Sequence, residues 1–80
     1  MITVRVRLYA TLRRLRPDLE LGEALPVELV EGATVGRLVQ EMALPEDEVK
    51  IVFVNNLVRE RDHVLEDGDQ VGIFPPVGGG

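Results

Sequence analysis

The 80-residue chain has no cysteine and one histidine. A disulfide framework, a thiolate nucleophile and a cysteine-based zinc site are therefore excluded. A histidine-based triad would have to use His63, which lies in a loop-like stretch between Asp62 and Val64 and reads as a turn histidine. Aromatic residues make up 4% of the chain against 45% for all hydrophobic residues. A domain of this size buries only about 60–65% of the surface its unfolded chain exposes. With no covalent or metal staple, its core has to be aliphatic. No apolar run approaches the roughly 18 residues of a membrane span, and MITVRVRLYA alternates where a secretory signal would be continuously apolar. The expectation is a soluble, cytoplasmic protein with no membrane partner.

Phosphate-cradling glycine motifs of the GxGxxG or GxxxxGK[ST] type are also missing. Asp67-Gly68-Asp69 lacks the twelve-residue calcium-loop pattern and reads as a turn. Pro45 suits the first position of a short helical turn, and Glu46-Asp47-Glu48 after it suits that turn's positive end better than a metal site. The chain shows no active site of its own, no resident cofactor and no metal ligand set.

Net charge is -5, with a pI near 4.7, which argues against nucleic acid as a partner. The charge is uneven. Residues 1–17 carry Arg5, Arg7, Arg13, Arg14 and Arg16 and no acid, while all 14 acidic residues follow. This is either a solvated face or a patch for an acidic partner or phosphate.

Ile2, Val4, Val6 and Leu8 alternate with Thr3, Arg5, Arg7 and Tyr9, the period of a strand with one buried face. Leu12 and Leu15 fit a short helical turn ended by Pro17. A second strand is predicted around Val27 to Val30, closed by Gly32. Thr34 is a plausible helix N-cap. Val35, Leu38, Val39 and Met42 then follow the i, i+3, i+4, i+7 spacing of one helical face. Gly36 weakens that helix by up to about 1 kcal/mol, so packing has to hold it. Ile51 to Val54 is an unbroken apolar run of the kind found in central strands. Asn55-Asn56 is a turn, Leu57 and Val58 begin the return, and Glu66 to Asp69 is another turn. Gln70 to Phe74 is the last strand, with Val71 and Ile73 inward. One amphipathic helix must then cover one mixed sheet of four to five strands. The fold class is α+β, and the ubiquitin-like β-grasp is its natural solution at this length, over residues 1–74, with 75–80 as a tail.

The tail, PPVGGG, has its own logic. Pro75 and Pro76 lack N–H groups and cannot continue a ladder. Glycine, without a Cβ, can thread a channel one backbone wide. Six residues reach at most about 20 Å, more than the roughly 10–12 Å diameter of a helix. The reactive group so delivered is the carboxylate of Gly80, useful once activated, for example as an acyl-adenylate. Phe74, on the face opposite Val71 and Ile73, is a candidate docking anchor.

The stretch DHVLEDGDQVGIFPPVGGG, Asp62 to Gly80, resembles the C-terminus of the MoaD/ThiS sulfur-carrier family, and within it most closely the MoaD branch, the small subunits of molybdopterin synthase. VRVRLYATLRRL, the helix start at Thr34-Val35 and VFVNN extend the likeness over essentially the whole chain. The resemblance implies a β-grasp fold and adenylation of Gly80 by an E1-like enzyme using ATP and magnesium. It also implies sulfur from a persulfide donor, converting Gly80 to a thiocarboxylate. Gly78 and Gly79 would thread the large synthase subunit, in a heterotetramer of two small and two large subunits. Phe74, Pro75, Pro76 and Val77 would form the interface segment, and the sulfur would pass to a cyclic pterin precursor in molybdenum cofactor biosynthesis. Position 78 commonly carries a small side chain in this family, where this chain has Gly78, and an Asn-Gly turn is frequent where this chain has Asn55-Asn56. Three alternatives stay open: a sulfur carrier for thiamine or tRNA thiolation, a ubiquitin-like modifier joined to lysines through Gly80, and a plain β-grasp binding module.

Overall fold

The alternation of the first strand becomes an alternation of burial. In β1 (Ile2–Leu8), Val4 and Val6 are fully buried and Ile2 and Leu8 nearly so, while Thr3, Arg5 and Arg7 face the other way. The computed structural model describes residues 1–20 and 22–76. β2 (Leu25–Leu29), β3 (Ile51–Val54), β4 (Leu57–Arg59) and β5 (Gln70–Phe74) complete one five-stranded sheet in the order β2-β1-β5-β3-β4. β5 runs parallel to β1 and antiparallel to β3, and the outer pairs are antiparallel. Short 3-10 segments lie at Ala10–Leu15 and Glu46–Glu48.

The helix α1 (Val35–Glu41) covers one face. Thr34 caps it as the sequence suggests, its hydroxyl accepting from the Arg37 N–H at 3.2 Å. Two further N–H groups of the first turn are satisfied from outside the helix: Val35 donates to the His63 carbonyl and Gly36 to the Arg61 carbonyl, both at 2.9 Å. This explains Gly36. A Cβ there would stand 3.3 Å from the Arg61 oxygen, so glycine lets the 61–63 loop approach the helix start. At the other end, Leu44 N–H bonds to Val39 O and Ala43 N–H to Gln40 O, the two-bond Schellman stop. Ala43 takes the left-handed position, φ 56°, where glycine is usual.

Between helix and sheet the core is aliphatic, as the shortage of aromatics requires. Leu12, Val35, Leu38, Val39 and Ile73 have no exposure, and no polar or charged side chain is buried among the described residues. Leu12 enters this core from the 3-10 segment, whereas Leu15 is 42% exposed.

Three local expectations shift. β2 begins at Leu25 and ends at Leu29, which pairs with Ile2 at the start of β1; Val30 has no strand partner, and its carbonyl accepts from Ala33 in the following turn. Pro26 is accommodated because β2 is an edge strand. β3 is penultimate in the sheet, and the apolar run Ile51–Val54 is buried on one face only: Val52 and Val54 are inside, Ile51 is 38% exposed. Pro45 occupies the N-cap of the Glu46–Glu48 segment instead of its first helical position.

Candidate functional site at the open sheet face

Strand parity sorts the aromatics. With Val4, Val6 and Leu8 inside on β1, Val52 and Val54 on β3 and Val71 and Ile73 on β5, the alternate positions Tyr9, Phe53, Gly72 and Phe74 fall on the face away from α1. All three aromatic residues of the chain meet there. The Tyr9 and Phe74 rings stack with centroids 4.3 Å apart and planes 2° from parallel. Phe53 meets Phe74 edge-on, with centroids 5.4 Å apart and planes at 72°. Gly72 lies beneath: a Cβ would stand 3.2 Å from Tyr9 Cε2 and 3.6 Å from Phe74 Cε1. Together with Arg7, Asn56 and Gln70 these residues line a shallow depression of about 240 Å³.

The cluster sits where the last strand leaves the sheet. The Tyr9 N–H donates to Ile73 O at 3.1 Å and the Lys50 N–H to Phe74 O at 2.8 Å, so both neighbours of β5 hold it up to its final residue. Pro75, half-buried, and Pro76, exposed, follow outside the strand, as their missing N–H groups dictate. Of the candidate interface segment, the structure places Phe74, Pro75 and Pro76 beside the open face; Val77, the threading residues Gly78 and Gly79 and the reactive Gly80 lie outside the described residues.

The Glu66–Asp69 turn sets the other end of β5. Gly68 has φ 88°. Asp67 Oδ1 accepts from the Thr3 N–H at 2.8 Å, Asp69 Oδ2 from the Glu66 N–H at 2.8 Å, and Asp69 Oδ1 from Asn55 Nδ2 at 2.9 Å. The acids of DGD are thus spent on joining β5 to β1 and to the Asn55-Asn56 turn, where both asparagines have positive φ (52° and 70°). His63 is a turn residue whose carbonyl serves the helix start. No group of three or more metal-ligating side chains occurs among the described residues. Nor is any helix of the described residues long and apolar enough to cross a membrane.

The arginines of the first 17 residues divide. Arg5 and Arg7 are on the open face. Arg7 donates to Gln70 Oε1 at 2.8 Å and to the Gly22 carbonyl at 3.1 Å. Arg13 and Arg14 belong to the 3-10 segment. Arg16 pairs with Asp18 at 3.0 Å, and the hydrogen bond from its guanidinium, more than any other influence, holds the Asp18 carboxyl below its ordinary pKa. Sequence reasoning singled out Phe74 but not Tyr9 or Phe53. Parity alone places both outward; their meeting depends on β1 and β3 both flanking β5.

A helix-covered mixed sheet with a proline-marked exit beside an open aromatic face defines a ubiquitin-like β-grasp domain. The model of the ThiS family matches residues 6–80, and the chain belongs to that family. Among solved structures, it is similar to the "Putative molybdopterin converting factor, subunit 1" of Pyrococcus furiosus: 31% identity, TM-score 0.76, 96% of this chain and 100% of that one covered. Haloferax volcanii small archaeal modifier protein 1 superposes with TM-score 0.78 at 18% identity, covering 96% and 100%. Subunit 1 or 2 in the protein–protein complex of molybdopterin-converting factor from Helicobacter pylori gives TM-score 0.61 at 21% identity, covering 99% and 100%. The last two likenesses concern the fold alone. No curated protein matches the chain.

Proposed function

We propose that this chain is a sulfur carrier, the small subunit of a molybdopterin synthase. The observation that carries the proposal is the full-length match at 31% identity to the P. furiosus molybdopterin converting factor subunit, within a family match that runs through the final glycine. The geometry supports a delivery role: β5 is held up to Phe74, two prolines end the ladder, and an aromatic face lies beside the exit. In this reading an E1-like enzyme with ATP and magnesium adenylates Gly80, and a persulfide donor converts it to a thiocarboxylate. Gly78 and Gly79 thread the large subunit, and sulfur passes to a cyclic pterin precursor. Phe74 with Pro75, Pro76 and Val77 docks the carrier. The chain supplies the reacting carboxylate, and its partners supply the catalytic side chains.

The experiment is intact-mass spectrometry after incubation with an E1-like partner, ATP, magnesium and a sulfur donor. Exchange of one oxygen for sulfur at Gly80, followed by its loss on addition of large subunit and cyclic pterin, is expected. No gain of sulfur with a competent partner rejects the carrier role. A thiocarboxylate that discharges only to a thiamine precursor or a tRNA base keeps the carrier and changes the acceptor. A second reading, a ubiquitin-like modifier conjugated to lysines through Gly80, uses the same fold as a small archaeal modifier protein, and a branched tryptic peptide would reveal it.

A further inference from the structure

Phe74 is the last residue of β5, and the peptide that joins it to Pro75 has no N–H. The Phe74 carbonyl is therefore the single hydrogen-bonding group of that peptide. It accepts from the Lys50 N–H at 2.8 Å, and this bond orients the plane in which the chain leaves the sheet. The Lys50 N–H belongs to the same peptide unit as the Val49 carbonyl. In a trans peptide the two groups point opposite ways, and the described residues include no cis bond. On the carbonyl side stands Arg61, whose Nη2 donates to Val49 O at 2.9 Å from a partly buried position. One line of hydrogen bonds thus runs from a guanidinium, through a peptide unit, to the carbonyl at the exit.

Both ends of the first bond are anchored. The Arg61 carbonyl accepts from the Gly36 N–H at the start of α1, at 2.9 Å, and Val49 is buried. Arg61 Nε is 3.6 Å from Glu46 Oε1. Among the described residues it is the one buried side-chain nitrogen or oxygen without a hydrogen-bond partner. Leaving such a group unsatisfied costs stability, and an exposed carboxylate such as Glu46 offsets little of it. The bond to Val49 O is what the side chain gains in return. A charged donor makes a stronger hydrogen bond than a neutral one. A donor on the oxygen of a peptide also polarises its N–H, which strengthens the next bond in the line.

We propose that Arg61 is a positioning residue for the tail exit, acting through the Val49–Lys50 peptide on the Phe74 carbonyl; its part in docking rests on the carrier reading above. The setting of Phe74 and the direction of Pro75 are thereby tied to the start of α1, on the opposite side of the sheet from the aromatic cluster.

The test uses the full chain and follows the Lys50 amide proton by NMR. The Tyr9 amide, which holds Ile73 O from the other neighbour of β5, is the reference. Arg61→Met keeps an apolar stem and removes the donors. Arg61→Lys keeps the charge but loses the planar fork. In both, the Lys50 amide should move upfield and exchange about tenfold faster, while the Tyr9 amide stays as it was. The Kd for the large subunit of the proposed synthase should rise about fivefold. Glu46→Gln should alter none of these. Equal acceleration at Lys50 and Tyr9 would reveal a general stabilising role and overturn the proposal. So would a Lys50 amide that ignores Arg61→Met or that Arg61→Lys leaves in place. Unchanged affinity beside a shifted Lys50 amide overturns the part in docking. If the unaltered chain does not bind the large subunit, the carrier reading fails, and the Lys50 amide still decides whether Arg61 sets the exit.

Discussion

The Tyr9 ring lies flat on the Phe74 ring, 2° from parallel with centroids 4.3 Å apart, over Gly72, where a Cβ would stand 3.2 Å from Tyr9 Cε2 and the ring would have to give way by a few tenths of an ångström. The residue that follows the first strand and the final residue of the last strand thereby share one contact at the tail exit. Such a pair is worth about 0.5–1.5 kcal/mol beyond its buried area.

Gly72→Ala should tilt Tyr9 off Phe74. The lost stacking and the gain from replacing a strand glycine are of similar size, so stability should stay within about 1 kcal/mol of the original. The near-ultraviolet circular dichroism of Tyr9 should nevertheless change, and affinity for the large subunit of the proposed synthase should fall. An unaltered spectrum would refute the close approach.

Leu12→Ala should be far more damaging. Leu12 is fully buried although it comes from a 3-10 segment. Its truncation should cost about 2–5 kcal/mol in urea denaturation. Leu15→Ala, at a half-exposed site, serves as the comparison and should cost much less; equal losses would contradict the packing described.

Ala43→Gly should stabilise the fold. The left-handed conformation costs a residue with a Cβ about 1–2 kcal/mol, and part of the relief is lost to the freer unfolded glycine. A net gain of about 0.5–1 kcal/mol is expected. A lower thermal midpoint for this variant would contradict the Schellman stop.

The Arg16–Asp18 pair sets a pH dependence of known sign. The folded-state pKa of Asp18 is lowered, first by the hydrogen bond from Arg16. Its contribution is therefore complete above the ordinary aspartate pKa of about 3.9 and disappears as pH falls through the lower folded value. Asp18→Asn should remove this acid-limb contribution while leaving the slope of stability with pH near neutrality unchanged. The pair lies on the surface, so the effect is small and should fade with added salt; a difference in slope near pH 7 would place its titration elsewhere.

Much of this was legible in the chain. Alternation in residues 2–8 and 70–74 determined which side chains enter the core. The 35, 38, 39, 42 spacing determined the helix face, and Thr34 its start. The Ile51–Val54 run misleads about its place because its outward residues, Ile51 and Phe53, are as apolar as its buried ones, which hides the alternation of burial. The helix stop at Ala43 gives no glycine signal, since the backbone bonds around it hold alanine in a conformation it does not prefer.

By itself, then, the sequence determined the aliphatic core, the order of elements and a tail whose prolines end a ladder. Those are local properties, set by side-chain period and backbone chemistry. The tertiary structure decided what stands beside that tail. Tyr9, Phe53 and Lys50 come to Phe74 because β1 and β3, distant in sequence, both flank β5. Strand order is fixed by long-range pairing, and no local pattern records it.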